Sequence, residues 1–438
     1  MTATNRNLTE RVRVEALIDG RKLQHPIYDD NDVLLLAPGT VITTDVKRRL
    51  LARKMSRVIV NVADAAGMTL QGPRPARTAD SSSFDTRQIK RLTAIIDAGD
   101  LFTADSGRQT VVLHGCKAYD PKHRDELRDR HHKASVELDS MMKRAMWGEK
   151  IDARQLSTRV GRYVADLTAD PDILLAMATT LGQDASLTNH CLQTTIVGLS
   201  LGLEMGLDPQ QLRNLGLCGL LHDWGMIQVP KAIRSAARWL TDVEFMQVMK
   251  HPRYTLKILN TIQGIPDVVR FACYQMHERP NGTGYPRGFS HHSIHLFARI
   301  MRVADTYVAL TSPRPQRPPL MPYSAMECLV QLAVRQDVDP VVVRLLLQIL
   351  SLFPIASFVV LDDGTTACVL RRSQPTHYTT PIVQLLADNR GNPFDPEHED
   401  SIVDLSTHER RIVRAYPAPD SNEIGLRADV LEMGRSPV

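Results

Sequence analysis

The sequence predicts a mainly α protein: a helical bundle carrying a metal site, flanked by a small N-terminal α+β module and a small C-terminal all-β module. Three observations carry that expectation. Helical periodicity runs almost unbroken from 121 to 352, the text on either side turns to short β-rich runs with turn residues, and scattered His and Asp sit inside apolar helical segments. At 438 residues the chain is about three times a typical domain length, so two or three domains are expected.

Residues 1–64 read as the α+β module. RVRVEAL and DNDVLLLAPGTVI have strand character around the turn signal Pro38-Gly39, residues 44–56 form a short basic helix, and SRVIVNV closes as a strand. Residues 65–120 are a linker and irregular segment, opened by the Gly-, Pro- and Ser-rich AAGMTLQGPRPARTADSSS. The helical domain spans 121–352. Its first helix, 121–147, spaces Leu127, Ala134, Leu138, Met141, Met142 and Met146 at threes, fours and sevens. Further helices are expected over 153–168, 171–181, 187–205, 209–224, 242–262, 265–276, 294–311, 322–335 and 339–351. Beyond Pro354, SFVVLDDGTTACVLRR gives two β runs about a turn and PIVQLLADNRGNPF a third, so 353–420 is a β-rich module and 421–438 a loose tail.

Composition narrows the function. Apolar residues make up 43% and charged residues 23%, which excludes disorder throughout. Basic residues exceed acidic by 53 to 49, and residues 1–60 alone hold 11 basic against 7 acidic. The rest is balanced, so neither DNA nor a membrane surface is expected as a partner. The basic run from Lys47 to Arg57 reads as a solvated helix face. Six cysteines lie far apart, as free thiols in a reducing compartment would. The N-terminus has no apolar signal region, and Val341–Leu361 is broken by Arg344, Gln348 and Pro354. A cytoplasmic protein is expected.

The chemistry concentrates in six residues. His190 lies in LTNHCLQTT, His222 and Asp223 adjoin in LLHDWGM, His251 opens HPRYTLKIL, His277 sits in YQMHERPNGTGYP and Asp305 in RVADTYVAL. A lone helical histidine is usually a core or surface residue. Here a carboxylate in apolar helix text would be costly unless paired, and a cation satisfies acids and imidazoles together. Adjacent helical positions point about 100° apart, so His222 and Asp223 reach one centre from different directions, and the two oxygens of Asp223 allow it to bridge. Imidazole and carboxylate ligation without thiolate suits Fe, Mn, Ni or Zn. Two metals about 3.5–4 Å apart suit phosphoester cleavage. By contrast His291, His292 and His295 read as a surface loop, and His131 and His132 as solvent-facing residues of the first long helix.

The order His, His-Asp, His, His-Glu with N-G-T-G-Y-P, then Asp resembles the HD-GYP family of metal phosphohydrolases, over roughly 150–352. The resemblance implies an HD-type helical bundle whose two divalent metals (Fe, Mn or similar) hydrolyse cyclic di-GMP to pGpG or GMP in bacterial signalling. It implies His190, His222, Asp223, His251, His277 and Asp305 as metal ligands, with His222 and Asp223 catalytic and Asp223 bridging. Arg279, Gly284, Tyr285 and Pro286 would bind substrate. Partner signalling proteins are compatible with the pattern, and the 121–147 helix would serve a homodimer or pack on its own bundle.

Four family positions are changed. Met226 replaces a phosphate-contacting Lys, Met276 replaces the first of two histidines, Asn281 replaces Asp, and Ser186 replaces an acid found in three-metal members. A thioether is a poor ligand for a hard cation, so Met276 is expected to weaken the second site. The alternatives are therefore a catalytically weak or inactive cyclic-dinucleotide-binding module, and an HD phosphohydrolase for another nucleotide.

Overall fold

A computed structural model describes residues 9–14, 17, 20–28, 34–52, 57–61, 64, 111–180, 186–373, 378–396, 398–419 and 421–426. The chain divides into two compact units, Met1–Ala79 and Asp80–Val438. Most of the expected 65–120 segment lies outside the described residues, as does the tail from 427.

In the first unit, strands β1 (Thr9–Arg13), β2 (Ile27–Tyr28), β3 (Leu34–Leu36) and β4 (Arg57–Asn61) form one sheet in the order β1-β4-β2-β3. Helix α1 (Thr44–Ala52) precedes β4. Val12, Leu17, Ile27, Ile42, Leu50, Val58 and Val60 make a core of their own. The exposed Arg48 and Arg49 pair with Asp45 one turn earlier, the solvated face expected of the basic run.

The second unit opens with α2 (Pro121–Met146), whose first turn is capped by Asp120 and begins with the fixed φ of Pro121. A two-residue strand β5 (Ile151–Asp152) pairs in parallel with β6 (Ile262–Gln263). The bundle follows: α3 (Ala153–Ala169), α4 (Pro171–Thr180), α5 (Leu187–Glu204), α6 (Pro209–Leu221), α7 (Lys231–Arg234), α8 (Asp242–Val248), α9 (His251–Leu259), α10 (Asp267–Gln275), α11 (Leu296–Thr311), α12 (Pro322–Val334) and α13 (Pro340–Leu350). Helix α5 is buried on every side from Cys191 to Leu203, and α11 from Ala298 to Thr311 apart from Arg299. Helices apolar all round belong at the centre of a bundle, and these two carry His190 and Asp305. No helix among the described residues is long and apolar enough to cross a membrane.

Two departures from the expected helices shape the site. The stretch 242–262 is not one helix but breaks at Met249-Lys250. Pro252 explains the break: it has no N–H to give the Val248 carbonyl, and its ring would clash there. The freed carbonyl accepts instead from His251 Nδ1 at 2.8 Å. The other helix, expected to 224, ends at Leu221 and tightens into a 3-10 turn over Trp224–Gln228. There the Gly225 N–H donates to Thr255 Oγ1, which donates to the His222 carbonyl at 2.8 Å. A Cβ at Gly225 would fall 2.2 Å from the His251 carbonyl oxygen, so only glycine lets the turn sit on α9.

Beyond α13, strands β7 (Phe358–Leu361), β8 (Thr366–Arg371), β9 (Ile382–Ala387), β10 (Ile402–Asp404) and β11 (Ile412–Tyr416) form an antiparallel sheet ordered β10-β9-β8-β7-β11. The last two strands were not expected; one is three residues long, and the other is bulged and lies in the charged text HERRIVRAY. One hydrophobic cluster runs from Leu127 on α2 through the bundle to Val359, Val369, Val383 and Ala415 of the sheet. The expected boundary at 352/353 therefore falls inside a shared core. Arg371 of β8, only 2% exposed, donates to both oxygens of Asp170 at 2.9 and 3.1 Å and to the Lys117 carbonyl at 2.8 Å, with its guanidinium over the Tyr119 ring.

The expectation for His131 needs correction. It is buried, with Nε2 2.8 Å from Asn189 Oδ1 and Nδ1 3.3 Å from the Tyr163 hydroxyl. Only neighbouring His132 faces solvent. Partners 58 and 32 positions away made a polar-looking face an internal one.

Candidate metal centre

The six expected residues come from five elements and converge. His190 stands in the first turn of α5, His222 and Asp223 follow α6, His251 begins α9, His277 follows α10 and Asp305 lies within α11. His222, Asp223, His251, His277 and Asp305 are buried, and His190 half-buried. Their donor atoms gather into two groups, His190 with His222 and Asp305, and Asp223 with His251 and His277.

Asp223 joins the groups. Its Oδ2 lies 3.6 Å from His222 Nε2 and 4.0 Å from His190 Nε2. Its Oδ1 lies 3.2 Å from His251 Nε2 and 3.6 Å from His277 Nε2. In the first group, Asp305 Oδ1 is 2.9 Å from His190 Nε2 and 3.7 Å from His222 Nε2.

Tautomers test whether these groups suit a cation. His222 Nδ1 donates to the Gly219 carbonyl at 2.9 Å, so in neutral imidazole Nε2 is a bare lone pair. That lone pair faces carboxylate oxygens and has no hydrogen-bond partner among the described residues; nor do His190 Nδ1, Asp223 Oδ1 and Asp305 Oδ2. Buried acceptors aimed at one another repel unless a proton or metal lies between them. The donor set fits a divalent cation.

The electrostatics agree. Burial alone would raise the Asp223 carboxyl, but the imidazoles of His222, His251 and His277 outweigh it and hold it well below the usual carboxylate range. Asp305 is likewise held low against burial by His190 and His222. Burial pulls His222 down, yet Asp223 and Asp305 push it up to about 9. His277 goes the other way, to about 4, through burial and the neighbouring His251.

The loop after His277 forms one wall. Buried Glu278 accepts from the backbone N–H of Arg287 at 2.8 Å and Phe289 at 2.9 Å, which folds the loop back on itself. Asn281 Oδ1 accepts from the Thr283 N–H and hydroxyl while Nδ2 donates to Asp337, so amide replaces acid with its turn bonds intact. Tyr285 stacks on His277, ring centres 5.0 Å apart and planes at 6°, with Phe245 edge-on beyond it at 6.2 Å. The Tyr285 hydroxyl is buried without a hydrogen-bond partner among the described residues. Arg279, expected to bind substrate, is 7% exposed and its guanidinium lies against Asp337 and Thr283 at 3.4 and 3.5 Å. His291 is exposed, and His295 caps α11 through Nδ1, as a loop reading expects.

At Gly284 a Cβ would meet the Arg279 nitrogen at 2.4 Å and Glu278 Cα at 2.5 Å, both backbone. Gly284→Ala is therefore expected to cost about 1–3 kcal/mol of stability and to shift Tyr285 off His277. Denaturant unfolding and Tyr285 ring resonances check this; an unchanged midpoint refutes it.

Two site arginines escaped sequence reading. Arg302, 5% exposed and three residues before Asp305, reaches His277 Nδ1 at 3.4 Å and Asp305 Oδ2 at 3.8 Å. Arg314 feels the charge of Asp305 and Asp223, which partly offset the lowering of its pKa by burial, and among the described residues no carboxylate pairs with it. An arginine between the apolar pairs Ile300-Met301 and Val303-Ala304 was the available signal for the first. The substituted positions have local roles: Ser186 caps α5 through the Asn189 N–H, Met276 is fully buried in the hydrophobic core, and Met226 is half-buried.

Comparison with known proteins agrees with this site. A family model described as HD domain matches residues 174–342. The chain is 30% identical over 289 residues to a protein named cyclic di-GMP phosphodiesterase PA4108 from Pseudomonas aeruginosa, covering 65% of this chain and 68% of that one. It is 33% identical over 149 residues to 3'3'-cGAMP-specific phosphodiesterase 1 from Vibrio cholerae, covering 33% of this chain and 34% of that protein. The solved structure of Bd1817, a HDG"Y"P protein from Bdellovibrio bacteriovorus, aligns over 77% of this chain and 98% of that one at 17% identity and a TM-score of 0.42. Bundle and centre together define an HD-type phosphohydrolase. Within that class, the chain belongs to the HD-GYP family.

Proposed function

We propose that this chain is a metal-dependent phosphodiesterase that hydrolyses cyclic di-GMP to pGpG or GMP. The supporting observation is Asp223, whose two oxygens face two imidazole groups at 3.2–4.0 Å. His190, His222 and Asp305 with Asp223, and His251 and His277 with Asp223, are the residues that would hold divalent Fe or Mn. Such a metal supplies a Lewis acid beside the phosphodiester and acidifies water there. The chain supplies the rest. Tyr285 covers His277 and excludes bulk water from that side, Pro286 and Gly284 hold the wall in place, and Arg314, with no carboxylate partner among the described residues, offers a phosphate the cation that Met226 lacks. Arg279 acts through Asp337 and the loop. In this reading 121–352 is the catalytic domain, with 1–64 and 353–420 as flanking modules.

The test is incubation of purified protein carrying Mn or Fe with cyclic di-GMP, resolved by chromatography. Release of pGpG is expected; tight binding by calorimetry without cleavage over hours would leave a nucleotide-binding regulatory module. A second reading draws on the Vibrio cholerae relative, named for 3'3'-cGAMP. Faster cleavage of 3'3'-cGAMP than of cyclic di-GMP in the same assay would favour it.

A further inference from the structure

The loop between α11 and α12 carries two arginines, Arg314 and Arg317, among the prolines Pro313, Pro315, Pro318 and Pro319. A proline has no N–H to give, so such a loop makes few backbone bonds of its own. Arg314 and Arg317 exchange N–H and carbonyl across one tight turn, at 3.0 and 3.1 Å. Their guanidiniums then part. That of Arg317 donates to the carbonyls of Ala309 and Leu310 in the last turn of α11 and to that of Pro318, which ties the turn to the helix. That of Arg314 lies in the field of Asp305 and Asp223, and among the described residues no carboxylate pairs with it. The two like charges repel across the turn, and Arg317 feels Arg314.

The far end of the loop is held by the end of the chain. The Ile424 N–H donates to the Pro319 carbonyl at 3.0 Å, and the Met321 N–H donates to the Ile424 carbonyl at 3.0 Å, a parallel bridge that grips Leu320 from both flanks. Leu320 is fully buried, and Ile424 and Leu426 pack against the same core. Residues 421–426 begin the segment expected as a loose tail. Before them the Ser421 N–H donates to the Ala418 carbonyl at 3.1 Å and the Glu423 carboxylate accepts from the Ala418 N–H at 3.0 Å, which turns the chain from β11 back to the bundle.

We propose that residues 421–426 form a strap that positions the arginine loop for a phosphate group, with Ile424 acting through Pro319, Met321 and Arg317 on Arg314. This rests on the phosphodiesterase reading above. The effect falls on affinity rather than on the chemical step, since a loosened loop leaves the six residues of the metal centre in place.

The test uses the full chain. Ile424→Pro removes the N–H that Pro319 accepts, and is expected to raise KM for cyclic di-GMP about tenfold with kcat within about twofold. Ile424→Val, which keeps both backbone bonds, stays at the wild-type KM. Arg314→Ala raises KM further, and Ile424→Pro added to it changes KM by no more than about twofold, because the strap then has no guanidinium to place. An unchanged KM in Ile424→Pro, or its full effect persisting in the Arg314→Ala background, overturns the proposal. Hydrogen exchange of the wild type gives a readout if Ile424→Pro does not fold. The amides of Met321 and Ile424 are expected to exchange at matching rates, faster than the central amides of α12, because one opening frees both. Met321 protected like α12 while Ile424 exchanges freely overturns the strap. If wild type neither binds nor cleaves cyclic di-GMP, the phosphodiesterase reading fails by itself. Inorganic phosphate titrated against the Arg314 Nε–H resonance then decides: weaker binding in Ile424→Pro is expected, and equal binding overturns the strap.

Discussion

Asp223→Ala is expected to lower kcat by at least about a hundredfold, since even residues that merely support metal ligands cost 10–100-fold when replaced. Among the described residues Asp223 is the carboxylate that faces both imidazole groups: its Oδ2 faces His222 at 3.6 Å and its Oδ1 faces His251 at 3.2 Å. Removal also withdraws the largest charge raising His222, which then loses its hold on a proton or cation against burial. Bound metal should fall with turnover while far-ultraviolet circular dichroism stays unchanged. Asp223→Asn retains one oxygen and should lose less than the alanine. Near-normal kcat with full metal content in Asp223→Ala would show that the carboxylate bridges nothing.

Arg371→Ala is expected to destabilise the second unit by about 3–5 kcal/mol, the usual result of stranding a buried charge. The guanidinium donates twice to Asp170 and lies 3.5 Å from Asp172, itself 1% exposed. Burial already pushes the Asp172 carboxyl up to about 6, with Arg372 and Arg371 opposing. A carboxyl raised in the folded state makes the fold lose stability as pH rises from its unfolded value through its folded one. Without Arg371 that window extends upward, so the deficit should be larger at about pH 8 than at about pH 5. Urea titrations at both pH values measure it. A deficit under about 1 kcal/mol would mean that the pair is solvated, as surface pairs are.

The candidate metal-binding positions were legible because the chain places carboxylates and imidazoles inside apolar helix text, where only a partner makes them tolerable. Asp305 in RIMRVADTYVAL is the plainest case. The helical spans were legible for the same reason, since periodicity reports burial. What escaped depended on partners distant in sequence. Apolar neighbours hinted that Arg302 turns inward, but not that His277 would come within 3.4 Å of it, and His131 reads as polar surface unless Asn189 lies opposite. The break before His251 could be predicted from Pro252, but its use of the freed Val248 carbonyl to aim the imidazole could not. Strands β10 and β11 are too short or too charged to show alternation, and only pairing with β9 and β7 defines them.

The two ends of the chain differ in how separable they are. The first unit has a core of its own residues, from Val12 to Val60. The last sheet lends Val359, Val369 and Val383 to the helices and pins Arg371 beneath Tyr119. Deleting that sheet would strip apolar cover from the helices themselves, so the bundle and its last five strands are expected to unfold together.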